Sequence, residues 1–563
     1  MKRTVAIGIQ DFETIIKNNY LYIDKTDFIR EWWESGDSVT LIARPRRFGK
    51  TLNMSMLEQF FSIGYANRGD LFQGLSVWED EKYRQLQGTY PVISLSFANV
   101  KEINYENTKQ KICQLLTNLY SKYFFLVDSD VLTEQDKEYF RRISANMNES
   151  DATLCLYQLS DFLHRYYGKK VIILLDEYDT PMQEAYVHGF WDELVSFTRS
   201  LFNSTFKTNP SLERAVMTGI TRVSKESIFS DLNNLEVVTT TSDKYGTAFG
   251  FTESEVFAAL DERGLGTERE KVKSWYDGFT FGKHTDIYNP WSIINFLDKG
   301  EYGAYWANSS SNKLVSSLVR EGDSEIKMNM EVLLAGETIV CGIDEQIVYN
   351  QLGDSEEAIW SLLLASGYLK VYRVEKSSEF GYGRVPEYEV GLTNGEVRGM
   401  FYHMVRSWFQ SVKRHYNGFV KAMMCRNLKE MNIYMNRVSR DTFSYFDTGK
   451  QPSQLEPERF YHGFVLGLIA DLSEEYVITS NRESGFGRYD VMMEPKDKTK
   501  KAVILEFKVH EPDEEKDLQE TVQMALKQIE EKQYEVSLIS RGFAPEQIYK
   551  YGFAFEGKTV LIG

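Results

Sequence analysis

A glycine, a lysine and a threonine in direct succession are the first residues of this chain whose types could do chemistry. Gly49, Lys50 and Thr51 end a basic run. In such a turn backbone N–H groups can bind phosphate, the lysine adds a full positive charge, and the threonine hydroxyl can bind Mg²⁺. The pattern predicts a phosphate-binding loop made of Arg44, Pro45, Arg46, Arg47, Phe48, Gly49, Lys50 and Thr51.

This loop is a variant of the usual pattern. Arg44 stands where the standard pattern has glycine. A basic strand-to-helix turn that binds nothing is therefore the alternative, and a second motif is needed to decide between the two.

Two adjacent acids supply that second motif. Asp176 and Glu177 follow the apolar run 171–175, which is typical of a strand buried on both faces. Ligands of open α/β sheets bind at the carboxyl ends of such strands. We expect Asp176 to take part in binding Mg²⁺, and Glu177 to orient and deprotonate an attacking water molecule.

The next strand-like run, 214–220, brings two further candidates. Thr218 could sense the terminal phosphate of a nucleotide, and Arg222 could approach the same phosphate. A hydrogen-bonded threonine at a strand end and a surface arginine are the alternatives.

A second set of charged residues lies near the C-terminus. Asp490 falls in one strand-like run, and Glu506 and Lys508 fall in the next. Residues two apart on a strand share a face, so Glu506 and Lys508 should project together. The two carboxylates could bind Mg²⁺, and the lysine could activate water and stabilise charge on a phosphate. A cross-strand salt bridge is the structural alternative.

The elements that must position these residues indicate an α/β protein. Runs at 40–43, 92–97, 171–175, 214–220 and 236–241 predict a parallel sheet of about five strands, with a helix at 52–61 after the loop. A capping-box pattern at Thr252 and Glu255 predicts that a helix begins within residues 250–300. A helix, a glycine and a hairpin within 358–390 resemble a winged-helix module, and strands at 476–479, 487–493 and 502–509 predict a C-terminal α/β domain.

Composition excludes several classes of function. With 65 Lys and Arg against 82 Asp and Glu, the net charge of −17 argues against unspecific coating of nucleic acid. The 4 cysteines form no Cys-x-x-Cys pair, which favours buried thiols in a reducing compartment and no zinc site. Neither a signal peptide nor a membrane-spanning run is predicted, so we expect a cytoplasmic protein.

Several separated motifs together resemble one family of proteins. They are the loop itself, Leu174 to Asp179, Thr218 to Arg222, Trp275 to Phe279 and Tyr288 to Trp291. The chain is similar to the AAA-ATPase-like family of bacterial proteins, which typically carry a C-terminal PD-(D/E)XK nuclease-like domain. The resemblance implies a P-loop NTPase core with an additional strand and a lid, with ATP and Mg²⁺ as cofactors. Gln528, followed by Tyr534, resembles a Gln/Tyr element of one nuclease branch.

From these observations we expect four regions. They are a P-loop ATPase-like domain at 1–245, a helical lid at 246–305, a winged-helix-like connecting region at 306–412 and a nuclease-like domain at 413–563. Glu456 and Glu458 are candidates for a further nuclease acid.

The function expected is that of an ATP-binding, ATP-hydrolysing protein whose nuclease-like domain uses Mg²⁺ to act on DNA, without a membrane partner. The alternative is a nucleotide-dependent switch or scaffold whose nuclease-like domain is inactive and only binds nucleic acid or protein.

Overall fold

The chain is seen in a computed structural model. It describes residues 3–221, 228–229, 231–307, 313–321, 324–344, 356–375, 387–408, 413–442, 475–484, 487–512, 515–556 and 559–563. Three predicted site residues, Arg222, Glu456 and Glu458, lie outside the described residues.

Two compact units make up the chain. The first contains Met1–Val315 and Thr338–Arg398, and the second contains Ser316–Glu337 and Gly399–Gly563. Each unit therefore combines two stretches that are separate in sequence.

The first unit opens with an α/β region. Its elements are α1 (Phe12–Lys17), α2 (Asp27–Ser35), β1 (Val39–Ala43), α3 (Lys50–Phe61), α4 (Glu81–Leu86), β2 (Val92–Ser96), α5 (Tyr105–Lys122), α6 (Glu134–Arg142), α7 (Glu149–Tyr167), β3 (Val171–Asp176), α8 (Thr180–His188), α9 (Trp191–Phe202), β4 (Leu212–Gly219) and β5 (Leu235–Val238).

All five strands of this region form one parallel sheet in the order β2-β3-β4-β1-β5. Every residue of β1 and β3 is buried, because helices cover both faces of a parallel sheet. Strand β4 lies between the strand before the loop and the strand that ends in Asp176. The five-stranded parallel sheet and its additional strand are thus confirmed.

The segment after the sheet mixes helices with short strands. Its elements are β6 (Phe251–Thr252), α10 (Glu253–Arg263), α11 (Arg269–Tyr276), β7 (Phe279–Phe281), β8 (His284–Tyr288) and α12 (Pro290–Lys299). The three strands form an antiparallel sheet in the order β6-β8-β7. A capping box between Thr252 and Glu255 begins α10, as the sequence predicts. The expected lid is therefore not purely helical.

The middle of the chain contains α13 (Lys313–Glu321), α14 (Ser324–Ala335), β9 (Ile339–Gly342), α15 (Glu356–Ala365), β10 (Leu369–Glu375), β11 (Glu387–Leu392) and α16 (Gly395–Trp408). The strands pair antiparallel in the order β10-β11-β9. Helix α15, Gly367 with φ +85°, and the pair of strands β10 and β11 reproduce the predicted helix, glycine and hairpin.

The second unit ends in another α/β layer. Its elements are α17 (Lys413–Met424), α18 (Leu428–Thr442), β12 (Tyr476–Ser484), β13 (Gly487–Pro495), β14 (Ala502–Val509), α19 (Leu518–Glu531), α20 (Val536–Ser540), β15 (Ile548–Glu556) and β16 (Thr559–Ile562). The sheet order is β12-β13-β14-β15-β16, and only β14 and β15, which α19 connects, are parallel.

Each face of this sheet has its own apolar core. One face packs on α17 and α18 through Val503, Leu505 and Phe507 of β14. The other face packs on α19 and α20 through Ala502 and Ile504. Within the described residues, no helix is long and apolar enough to cross a membrane.

Candidate functional site

The loop between β1 and α3 has the backbone geometry of an anion-binding turn. Gly49 has φ +80° and directly precedes α3, and Arg47 has φ +64°, which is uncommon for a residue with a side chain. Among the described residues no acceptor lies within hydrogen-bonding distance of the backbone N–H groups of residues 46 to 49. These groups, with the N-terminus of α3, can therefore bind a phosphate.

Lys50 places its ammonium group inside the loop. The side chain is buried, and Nζ donates hydrogen bonds of 2.9 Å to the carbonyl oxygens of Arg44 and Pro45. Burial lowers the pKa of Lys50, and the nearby charges of Glu177, Asp179 and Asp176 oppose this effect. Three acids thus favour the charged form of the ammonium group, against the effect of burial.

Thr51 and Asp176 are in direct contact, although 125 positions separate them in the chain. The Thr51 hydroxyl donates to Oδ2 of Asp176 at 2.8 Å, and the Thr218 hydroxyl donates to Oδ1 at 2.5 Å. Burial raises the pKa of Asp176, while both hydroxyl hydrogen bonds lower it. The loop, β3 and β4 therefore meet at one carboxylate. The bond made by Thr218 is that of the alternative interpretation, a hydrogen-bonded threonine at a strand end, and its contact with a terminal phosphate stays a prediction.

Glu177 lies beside this group with a positive φ of 51°. Its backbone N–H donates to the Thr218 hydroxyl at 3.3 Å, and its Oε2 accepts a hydrogen bond of 3.0 Å from the Thr180 hydroxyl. Its carboxylate is therefore held at the carboxyl edge of the sheet, next to Asp176.

Arg44, the first residue of the loop, turns its side chain into the protein. Its guanidinium is fully buried and donates to the carbonyl oxygens of Ala43, Thr239 and Lys244. It also stacks on Phe281, 4.4 Å from the ring centre. Burial lowers its pKa to about 9, so the group stays charged at neutral pH. All of these side-chain contacts are made within the protein, and the assignment of Arg44 to the nucleotide-binding loop stays a prediction.

The other loop side chains also make protein contacts. Arg46 donates to Gln183 Oε1 at 2.9 Å, and the Arg47 guanidinium lies 4.5 Å from the Trp291 ring centre. Phe48 is buried against Phe279, with 4.8 Å between ring centres. Phe48 is thus enclosed, whereas Arg46 is half-buried and Arg47 is exposed.

Asp179 is a positioning residue that the motif contained but for which no role was predicted. It is buried, and its Oδ2 accepts hydrogen bonds from the backbone N–H groups of Ile220 at 2.8 Å and Thr221 at 3.1 Å. Burial raises its pKa, and these two hydrogen bonds lower it. The only indication of this residue in the sequence was that a third acid stands two positions after Glu177.

The second set of acids comes together in the other unit. The Phe507 N–H donates to Asp490 Oδ2 at 2.8 Å, and the Asp490 N–H lies 3.4 Å from Glu506 Oε2. Glu506 is 2% exposed, whereas Lys508, two residues further along β14, is half-buried. In the described residues Lys508 forms no ion pair with either acid.

Asp490, Glu506 and Lys508 lie on the α19 side of the sheet, because they alternate along their strands with the residues that pack on α17 and α18. From Ala502 and Ile504 to Glu506 and Lys508, this face of β14 changes from apolar to charged.

Helix α19 completes this group. Gln528 Nε2 donates to Glu506 Oε1 and lies 3.3 Å from the Tyr534 hydroxyl. His510 continues the face of β14, and its Nδ1 lies 3.0 Å from the Thr521 hydroxyl and 3.3 Å from Glu515 Oε2. Sequence reasoning placed Gln528 by resemblance and missed His510, which stands at the same two-residue spacing beyond Lys508.

The donor atoms available for a cation are few. No group of three or more His, Cys, Asp or Glu side chains within the described ranges is placed to hold a metal ion. Magnesium binds proteins through one or two carboxylates together with water and substrate phosphate, so Thr51 with Asp176, and Asp490 with Glu506, are donor sets of a kind that fits it.

Comparison with known families and proteins agrees with this geometry. Residues 6–229 match a family model described as predicted AAA-ATPase, and residues 456–563 match the PD-(D/E)XK nuclease superfamily. A curated protein from Azotobacter chroococcum, described as an uncharacterized protein in the vnfD 5′ region, is 27% identical over 400 residues, which are 70% of this chain and 69% of that protein.

One solved structure is a signal-transduction ATPase with numerous domains and a tetratricopeptide repeat sensor, from Pyrococcus horikoshii. It matches 81% of this chain at 14% identity with a TM-score of 0.26, and this chain spans 54% of its length. So loose a superposition supports no conclusion about fold or function. The two family matches, together with the five-stranded sheet and the C-terminal mixed sheet, show that this chain joins an AAA-ATPase-like domain to a PD-(D/E)XK nuclease superfamily domain.

Proposed function

We propose that the first unit binds Mg²⁺ and ATP at the loop of residues 44–51 and hydrolyses the nucleotide. The contact of Asp176 with both Thr51 and Thr218, directly below the loop, is the observation that carries this proposal. It brings the three parts of a nucleotide site to one point: a cationic loop, a hydroxyl for the metal and an acid at a strand end.

Each residue then has a defined task. The N–H groups of the loop and Lys50 would bind the phosphates, and Thr51 and Asp176 would hold Mg²⁺, which neutralises phosphate charge when bound. Glu177 would orient the attacking water and accept its proton. Thr218 would keep the Asp176 carboxylate ionised through its hydrogen bond.

Phosphate release from ATP by the purified full chain tests this half of the proposal. Lys50→Ala should bind ADP weakly and release no phosphate, whereas Lys17→Ala, an exposed lysine on α1, should behave as wild type. Equal phosphate release by wild type and Lys50→Ala would refute ATP hydrolysis at this loop.

We further propose that the second unit cleaves DNA with Mg²⁺. Asp490 and Glu506 would hold the metal, and Lys508 would activate water and stabilise charge on the phosphate. Gln528 would position Glu506 through its hydrogen bond. The support is the change of one face of β14 from apolar to charged, at the position where Asp490 and Gln528 meet Glu506.

Plasmid and single-stranded DNA, incubated with Mg²⁺ or Mn²⁺, test the nuclease. Asp490→Ala should abolish cleavage, and Asp497→Ala, on the exposed turn between β13 and β14, should not. Identical products from wild type and Asp490→Ala would leave a nuclease-like domain that only binds its partner.

The site of action that fits these activities is the cytoplasm, since all four cysteines are free thiols. The limits 1–245, 246–305, 306–412 and 413–563 are likewise proposed as functional regions.

A further inference from the structure

Side chains from residues 289–306 contact the phosphate-binding loop at Arg46 and Arg47. The Trp306 indole N–H donates to the Arg46 carbonyl oxygen at 3.0 Å, and the Asn289 amide lies 3.4 Å from the same oxygen. Trp291 stacks on the guanidinium of Arg47. Two consecutive residues of the loop are thus fixed by three side chains from residues 289–306.

Trp306 is itself anchored by a buried carboxylate. Glu396 is 1% exposed, and its Oε1 accepts hydrogen bonds from the backbone N–H groups of Trp306 at 2.5 Å and Ala307 at 3.1 Å. Its Oε2 accepts from the Ser292 hydroxyl at 2.8 Å. An ionised carboxylate is costly to bury unless such donors satisfy it, so this arrangement fixes the backbone that carries Trp306.

The loop needs such support because it is poor in glycine. Arg47 adopts φ +64° with a full side chain, a conformation that costs about 1 kcal/mol or more and that glycine adopts freely. In a planar trans peptide the C=O and N–H groups point in opposite directions. Holding the Arg46 carbonyl therefore fixes the direction of the Arg47 N–H, which has no acceptor among the described residues.

We propose that Trp306 and Glu396 are positioning residues for nucleotide binding: they hold the Arg46–Arg47 peptide with its N–H directed at a nucleotide phosphate. This role replaces the conformational freedom that glycines supply in the standard loop. The inference rests on the proposed nucleotide binding at this loop.

Calorimetric titration of the full chain with ADP and Mg²⁺ tests the role, with Tm measured for each variant. Trp306→Phe retains the ring packing on Phe279 and Tyr368 but loses the N–H, and Glu396→Gln weakens the anchor. Each should weaken ADP binding by about threefold to tenfold, the loss expected for one hydrogen bond. Trp32→Phe is the matched control, because it removes a buried indole hydrogen bond to Thr40 and should lower Tm without changing the Kd for ADP.

The outcomes separate the two proposals. If wild type binds ADP, Lys50→Ala does not, and Trp306→Phe binds as wild type, only the positioning role is overturned. An equal loss of affinity in Trp32→Phe and Trp306→Phe also overturns it, since general destabilisation then accounts for the effect. If wild type does not bind ADP, both proposals fail.

Discussion

At the scale of single residues, the Asp176 carboxylate depends on its two hydroxyl donors. Burial favours the neutral acid, and the hydrogen bonds from Thr51 and Thr218 favour the carboxylate that a metal needs. The Thr218 hydroxyl on β4 also accepts a hydrogen bond from the Glu177 N–H. Its removal should therefore affect both acids and leave the loop of residues 44–51 in place.

Thr218→Val should therefore lower ATP hydrolysis more than ADP binding. Valine keeps the shape of threonine but can neither donate to Asp176 nor accept from the Glu177 N–H. A charge-assisted hydrogen bond is worth about 1.5–3 kcal/mol, so we expect the rate to fall about tenfold or more. Steady-state phosphate release at several Mg²⁺ concentrations measures it. Thr205→Val, whose hydroxyl bonds the Leu201 carbonyl, is the control, and a rate unchanged by Thr218→Val would contradict the role.

Asp277 gives the first unit a dependence on pH. Burial, and then the nearby charge of Asp286, raise the pKa of Asp277 to about 7 from its ordinary value of 3.8. Between these values the unfolded chain has lost a proton that the folded chain retains, so the free energy of unfolding falls as pH rises from about 4 to 7 and then levels off.

Asp277→Asn should remove this fall in the free energy of unfolding with rising pH. Relative to wild type, the variant should gain stability across pH 4 to 7 and keep a constant advantage above pH 8, on the order of 2 kcal/mol after allowance for solvent screening. Chemical denaturation at a series of pH values measures the gain. Asp298→Asn, an exposed position on α12, should show no such trend, and a parallel pH profile of Asp277→Asn and wild type would disprove the assignment.

At the scale of elements, the junction of β1 and α3 depends on Gly49. A Cβ at this position would meet no protein atom within 4 Å, so only the φ of +80° opposes a side chain there.

Gly49→Ala should thus separate stability from binding. Strain in the left-handed region should lower the free energy of unfolding by about 1 kcal/mol, which corresponds to about fivefold in an equilibrium constant. The added methyl group would lie where the phosphate binds, so ADP binding should weaken by far more than this factor. Denaturation and ADP titration of the same sample measure both. Gly168→Ala, a glycine at φ +66° after α7 with equally open space, should show the strain alone. Unchanged ADP affinity in Gly49→Ala would mean that phosphate binds elsewhere.

The elements show how far sequence reasoning reaches. The loop, the five strands and the two pairs of acids were predictable, because each depends on neighbouring residues and on a local period. The buried contacts of Arg44 were not predictable, because its partners Thr239 and Lys244 lie 195 and 200 positions away. Strands β6 and β7 span two and three residues, too few for an alternating pattern to show. Glu396 and Trp306 carry no motif, and only folding brings them to the loop.

At the scale of the whole molecule, two compact units should respond separately to ligand. ADP at about 100 times its Kd should stabilise the unit that holds Lys50 by about 2.7 kcal/mol. On heating, the unfolding transition of the other unit should stay at the temperature seen without ADP. Labelling of Cys113 and Cys155, which are buried in the first unit, identifies its transition, while exposed Cys425 reacts at any temperature. Lys50→Ala should abolish the shift, and one transition that moves as a whole would contradict independent units.

The helices α17 and α18 set a practical limit on dissecting this protein. Phe419, Met423, Met431 and Met435 on these helices cover the face of the C-terminal sheet that carries Val503, Leu505 and Phe507. A fragment that begins at residue 456, where the nuclease superfamily match begins, would expose this apolar face to water. Such a fragment would be prone to aggregation. Expression of the nuclease-like part should therefore start upstream of Lys413, so that the fragment includes the two helices that cover this face.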